Sequence, residues 1–203
     1  MLATKPYQRE RALMYAEKYA FSQNPVFASF AGFGGNCTNF VSQSLLAGAL
    51  VMDSTETFGW YYESVGARSP SWTGVREFYE FMCGIEDFMP KNERLGPFCT
   101  EVERERVEIG DVVQLSNMQG RFYHSLLVSG FDENGVILIC AQSNDALDRP
   151  LSSYRYATAR FLHVEGVNIK VEDNDEYFLN RINGTEMPPT NTVYLPVAEN
   201  RAE

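Results

Sequence analysis

The sequence predicts an α+β fold, with helices packed on one small antiparallel sheet. Three observations carry that prediction. Apolar residues recur at helical spacing through the first 84 residues, and after about residue 108 the period changes from 3.6 to 2. The extended runs are joined by hairpin chemistry and not by crossover helices. A chain of 203 residues, 44% hydrophobic and 13% aromatic, also has the material for one sizeable core.

The elements follow in order. Residues 7–22 carry Tyr7, Leu13, Ala16, Tyr19 and Ala20 near helical spacing, and Asn24-Pro25 ends the run. A second helix is predicted from Cys37, with Asn36 as N-cap, Phe40, Val41, Leu45 and Leu46 as its apolar side and Gly48 as terminator. Residues 53–70 read as loop. The run SPSWTGVREFYEFMCG (69–84) predicts a third helix, with Trp72, Val75, Tyr79 and Met82 on its buried face. Strands are predicted at Val112–Leu115, Phe122–Phe131, Gly135–Gln142 and Thr158–Val164, with Asp132-Glu133-Asn134-Gly135 as a tight turn between the second and third. The domain is expected to span residues 1–166. Residues 167–203, acidic and then Pro-rich (Met187-Pro188-Pro189), form an extension that would add an edge strand or wrap the core.

Charge and cysteine usage narrow the function. A net charge of −10 disfavours duplex nucleic acid and anionic membrane surfaces, both of which ask for a basic face. No apolar run reaches membrane-span length. The N-terminus has no signal-peptide core, so the chain is expected in the cytoplasm, or outside the cell if a leader was removed. Cys37, Cys83, Cys99 and Cys140 are widely spaced and the chain has two histidines, which argues against zinc and reads as four thiols. Asn183-Gly184-Thr185 matches the glycosylation triplet, but without a secretion signal it carries no weight. No cofactor is expected, nor nucleic acid or membrane insertion, and the chain is expected to be a monomer acting on a peptide or amide.

The chemistry centres on GFGGNCTNFVSQ, residues 32–43. A thiolate is favoured by the positive end of a helix dipole and by a nearby imidazole, and a helix start at Cys37 supplies the first. The unpaired N–H groups of that first turn would face an oxyanion, and Gly34 and Gly35 leave room for a substrate backbone. The structural alternative is a buried core cysteine. His124, in YHSLLVSG, shares a strand face with Leu126 and Val128 and is predicted to point toward the Cys37 helix. Counting back through the hairpin puts Asn144 opposite His124 for a three-residue loop, Asp145 for a two-residue loop and Ser143 for four. A polar side chain faces the imidazole in every case and could orient it.

A cysteine at a helix start, a later histidine on a strand and a polar residue on the next strand is the order of papain-like enzymes. The blocks GGNCTNFVSQSLLAGAL, SPSWTGV, GDVVQL, YHSLLVSG, SNDALDRPLSSY and ARFLHV, in order over residues 7–166, resemble the bacterial putative amidase domain family of the papain-like cysteine peptidases and amidases. The resemblance implies a papain-like fold and hydrolysis of an amide bond, often supposed to lie in a cell-wall peptide. Carried over by position, it implies Cys37 as nucleophile, His124 as base and Asn144 as orienter. Departures are visible: members often have Asp at the Asn36 position and His where this chain has Gln142, and papain's glutamine donor six residues before the cysteine is Ala31 here. The oxyanion donor expected is the Cys37 N–H, with Asn36 and Gly35 beside it. Asp145 and Trp60 are further candidates for substrate contact, with Trp60-Tyr61-Tyr62 equally readable as core. His163 reads as structural, and Asp148-Arg149 as a turn ion pair.

Three readings result: a cysteine amidase or peptidase, a papain-like peptide-binding module without turnover, and a transglutaminase-like acyl transferase. A covalent acyl adduct on Cys37 separates the first and third from the second, and product analysis with added amine separates the first from the third.

Overall fold

A computed structural model describes residues 2–32, 35–84 and 90–170. The chain order is β1 (Leu2–Lys5), α1 (Arg9–Tyr19), α2 (Cys37–Ala49), α3 (Pro70–Thr73), α4 (Val75–Cys83), β2 (Gly96–Val102), β3 (Val112–Ser116), β4 (Phe122–Phe131), β5 (Ile137–Ala141), β6 (Ala146–Pro150) and β7 (Ala159–Lys170). The fold is α+β, as the period change predicts. All the strand pairings are antiparallel, in the order β1-β7-β3-β4-β5-β6, with β2 also on β7.

Strand alternation divides the interior in two. Val112, Leu127, Cys140, Leu162 and Val164 face the helices, where they meet Phe40, Val41 and Leu45 of α2 and an aromatic group of Trp60, Trp72, Phe78 and Phe81. Val113, Leu115, Leu126, Val128, Ile139 and Leu151 form a second cluster on the other face. The helix α2 is therefore central, and every residue from Cys37 to Leu45 is buried. Its polar residues are held by bonds that burial makes obligatory. Thr38 meets Ser125 (3.0 Å), Asn39 accepts from Trp72 Nε1 (2.9 Å), and Ser42 donates to the Trp72 carbonyl (3.0 Å) while accepting from Trp60 Nε1 (3.1 Å).

Several elements differ from expectation. Gly48 does not end α2, which closes at Leu50 in the left-handed region (φ 53°). Gly48 lies inside the helix, and Tyr7 and the Gln8 carbonyl lie where a Cβ would be, so the position has no room for a side chain. The predicted helix over 69–84 is broken at Gly74, whose extended backbone (φ −90°, ψ 130°) separates α3 from α4. The break resets the helical phase, so Phe78, Phe81 and Met82 are buried while Val75 is only half-buried. The strands β1, β2 and β6 were not predicted, and each is too short or too proline-marked to show alternation. Trp60 is fully buried against Trp72 (centroids 4.9 Å apart), which removes it as a groove wall. Arg149 does not pair with Asp148; it bonds Ser153 Oγ (2.9 Å) and covers the Tyr154 ring (4.3 Å).

The last strand runs past residue 166 to Lys170, and its end pairs with β1 (Leu2↔Lys170 to Lys5↔Val167). Residues 171–203, with the Asn183 triplet and the Pro-rich run, lie outside the described residues. Among the described residues no helix is long and apolar enough to cross a membrane.

Candidate active site

The turn into α2 is built by Gly35 at φ 107°, a left-handed conformation natural to glycine. Asn36 occupies the N-cap position, but its side chain makes no cap bond. Its Oδ1 accepts from the Phe30 N–H (3.1 Å) and from Asn39 Nδ2 (2.8 Å), and its Nδ2 donates to Gln142 Oε1 (2.5 Å). Its own N–H donates to Ser143 Oγ. Gln142 then donates to the Tyr19 (2.7 Å) and Ser22 (2.9 Å) carbonyls at the end of α1. One hub thus joins the end of α1, the start of α2 and the end of β5. It also leaves the first-turn N–H groups of α2 without a side-chain cap, available to an anion.

Cys37 is the first residue of α2 and is 6% exposed. Its Sγ lies 3.9 Å from Thr38 Oγ1 and 4.0 Å from the Tyr123 carbonyl oxygen. The start of α2 therefore rests on residues 123–125 of β4, through Tyr123 O and through the Thr38–Ser125 hydroxyl pair. His124 lies between those two contacts in the chain. A bulge in the β3–β4 pairing (Leu115↔His124, then Ser116↔Phe122) leaves Tyr123 as the extra residue. Bulges re-aim side chains at strand ends, and this one turns the Tyr123 carbonyl to the sulfur. Leu126 and Val128, expected to share the His124 face toward α2, instead enter the second cluster, while Leu127 meets α2.

The His124 ring is 8% exposed and lies between the Tyr123 ring (centroids 6.1 Å, planes 13° apart) and the Tyr154 ring (5.9 Å). Burial, aided by the Arg149 charge, pushes its pKa down to about 4, so the imidazole is neutral at pH 7. Among the described residues the ring makes no hydrogen bond, with Cys37 or with Asn144. The other three thiols are pushed up by burial, Cys83 to about 12, Cys140 to about 11 and Cys99 well above the usual range.

Asn144 and Asp145 sit with Ser143 in the exposed turn between β5 and β6, with Ser143 at φ 64° and Asn144 at φ 114°. The hairpin starts in the three-residue register (Phe131↔Ile137), which would bring Asn144 opposite His124. A bulge at Ser129 then shifts the pairing to Leu127↔Cys140, and Ser143 is the residue that advances to the Cys37 end. Asp145, Ser143, Gln142 and Asn36 line a cavity of about 250 Å³ on that side. Sequence reading also missed a polar chain that runs from half-buried Arg160 to the residue next to Cys37. Arg160 donates through Nε (2.8 Å) and Nη2 (2.5 Å) to Gln114 Oε1, Gln114 Nε2 donates to Ser125 Oγ (3.0 Å), and Ser125 meets Thr38 (3.0 Å). The available signal was a glutamine inside the apolar strand VVQLS. His163 is structural, bonded to Asp111 at 2.8 Å. Among the described residues no group of three or more His, Cys, Asp and Glu could hold a metal ion.

Comparison with known proteins adds a family. The model of a putative amidase domain matches residues 6–164. The uncharacterized protein YhbB of Bacillus subtilis (strain 168) is 31% identical over 157 residues, which is 75% of this chain and 46% of that protein. The chain thus spans about half the length of the curated relative it matches. No solved structure matches.

Proposed function

The chain belongs to the putative amidase domain family, and from that membership we propose a cysteine-dependent amide-bond hydrolase with a papain-like arrangement, using Cys37 as nucleophile and His124 as base. One observation carries the reading. Cys37, the only cysteine at a helix start among the described residues, has its sulfur 4.0 Å from the backbone oxygen of the residue before a buried, neutral histidine. In this reading His124 takes the thiol proton as Sγ attacks the amide carbonyl, then delivers it to the leaving amine. Water attacks the resulting thioester, with His124 accepting its proton, and the acid is released as the thiol reforms. The free N–H groups of the α2 first turn stabilise the oxyanion, with the Cys37 N–H nearest the sulfur in sequence. The reading rests on the Cys37–His124 pair. Asn144, the orienter carried over by position, is tested as a variant. The resemblance extends the substrate expectation to cell-wall-type peptides.

Thiol alkylation followed by peptide mapping tests the nucleophile. At pH 7 iodoacetamide should modify Cys37 well before Cys83, Cys99 and Cys140, whose thiols burial holds protonated. His124→Ala should remove the advantage and Asn144→Ala should leave most of it. Equal labelling of all four thiols overturns the assignment. An acyl adduct trapped on Cys37, absent in Cys37→Ala, distinguishes turnover from a binding module.

A further inference from the structure

A second cavity, of about 720 Å³, has walls that include Arg76, Arg121, Arg160, Glu77, Tyr123 and Thr73. Three arginines lining one cleft stand out in a chain that carries 17 basic against 27 acidic residues. We propose that this cleft is the anion subsite of the enzyme, taking a carboxylate on an acidic peptide or acyl-amino-acid substrate whose scissile amide lies at Cys37. The inference rests on the hydrolase reading for its link to Cys37, and on its own geometry for the anion.

Each arginine contributes differently. Arg160 is fixed: its guanidinium lies 3.9 Å over the Phe122 ring and 3.5 Å over the Tyr79 ring, and its Nε and Nη2 bond Gln114. That leaves Nη1 without a hydrogen bond among the described residues, on a group whose orientation is already set. A preset donor binds an anion at lower entropic cost than a mobile one. Arg121 and Arg76 are exposed at the rim. Arg76 pairs with Glu80 at 2.6 Å, but that pair is solvent-exposed, and exchange for another carboxylate costs little. Glu77 is the one carboxylate on the lining and is folded back over Gly74.

Two features connect the cleft to the nucleophile. Tyr123 belongs to both: it is part of the cleft wall, and its carbonyl oxygen lies 4.0 Å from Cys37 Sγ. Behind it, the chain Arg160–Gln114–Ser125–Thr38 links the fixed guanidinium to the residue next to Cys37 through bonds of 2.5 to 3.0 Å. The cavity lined by Asn36, the residue before Cys37, carries Asp145 and uncharged side chains. A substrate crossing the site would then place its negative group at the arginines and an uncharged or cationic end toward Asp145.

The test is equilibrium binding by calorimetry of two probes, acetylated tri-glutamate and acetylated tri-glutamine, to the full chain. Tri-glutamate should bind about tenfold more tightly at low salt, and the preference should shrink as salt rises. Arg121→Gln with Arg76→Gln should erase it, while Lys18→Gln, a surface control, should leave it. Arg160→Lys reads the fixed donor without removing the charge, and should weaken tri-glutamate alone. Equal binding of the two probes, or tri-glutamate binding unchanged in the arginine variants, overturns the subsite whatever Cys37 does. Charge-selective binding with an inert Cys37 keeps the subsite and removes the hydrolase reading. Where Cys37 is reactive, tri-glutamate should slow its alkylation, and selective binding without that protection overturns the place of the cleft on the substrate path.

Discussion

At the scale of single residues, the proposed hydrolase would work with a neutral His124. Papain-type pairs are often pictured as a thiolate beside an imidazolium, but an imidazole with a pKa pushed to about 4 cannot hold the proton at pH 7. In the proposed hydrolase, activation then comes as the thiol attacks, with His124 accepting the proton in the same step. Two consequences follow from the same shift. The acid limb of the rate profile should fall near pH 4 and not near 6.5. Stability changes as well: the unfolded chain binds this proton with its ordinary affinity (pKa 6.5) and the folded chain binds it more weakly, so acid favours unfolding. The contribution is complete above pH 6.5 and is lost as pH falls toward 4, by about 3 kcal/mol for a shift of this size. Urea midpoints measured between pH 4 and 7 in wild type and His124→Gln should diverge, with the variant showing the flatter acid arm; parallel curves would show that His124 titrates normally. His124 was singled out from its place on an apolar strand, but the face it was expected to share with Leu126 and Val128 meets the second cluster and not α2. The residue opposite it could not be counted from the turn, because counting from Asp132–Gly135 assumes an unbroken ladder and the bulge at Ser129 moves the later residues by one place. Nothing in a one-dimensional pattern marks Ser129 as the extra residue.

The helices show how packing overrules a local signal. Gly48 carries the usual mark of a helix end, yet α2 passes through it, and the glycine is there because Tyr7, bonded at its hydroxyl to the Gly110 carbonyl (3.3 Å), is packed where a Cβ would be. Replacing Gly48 by Ala sets two effects against each other. Helix propensity would gain about 1 kcal/mol. A Cβ there would overlap the Tyr7 ring and come within 2.9 Å of the Gln8 carbonyl oxygen. Overpacking of this kind costs about 1–3 kcal/mol, and the backbone oxygen cannot swing away as a side chain could. The clash should win, and Gly48→Ala should lower the melting temperature, with partial recovery when Tyr7→Leu is added. A rise in melting temperature for Gly48→Ala alone would show that Tyr7 is looser than the packing implies. Elements with strong periodicity, α1, α2, β3, β4 and β5, were legible in the sequence. The break at Gly74 was not, since a glycine inside SPSWTGVREF is tolerated in many helices, and the four- and five-residue strands β1 and β6 offer too few positions for alternation to register.

Across the whole molecule the question is how the helical half that carries Cys37 is held to the sheet that carries His124. The chain fixes its N-terminal helix to the sheet through one buried carboxylate. Asp111, fully buried at the start of β3, accepts from Arg9 Nη1 (2.6 Å), the Val164 N–H (3.0 Å) and the Glu108 N–H (2.9 Å), and is bonded to His163 Nδ1 (2.8 Å). Arg9 adds a bond to the Val164 carbonyl (2.7 Å). A single guanidinium on α1 thereby reaches β7 and the start of β3, about a hundred residues away along the chain. The change from helical to strand periodicity makes the α+β class legible, but it cannot show this joint, because Arg9, Asp111 and His163 fall in three separate segments with no shared spacing. Such a group is best tested by removing one partner. Arg9→Met keeps most of the stem's packing and leaves Asp111 buried without its cation, a change that costs about 3–5 kcal/mol where the remaining charge stays desolvated. Asp111→Asn removes the charge instead, and Arg9, partly exposed and already 3.2 Å from Glu108, keeps a carboxylate beside it. Arg9→Met should therefore be the more damaging of the two by chemical denaturation, and it should also slow Cys37 alkylation, because α1 carries the Tyr19 carbonyl that anchors Gln142 to Asn36. If Arg9→Met loses stability while Cys37 keeps its full reactivity, the joint holds the fold together without setting the geometry of the site.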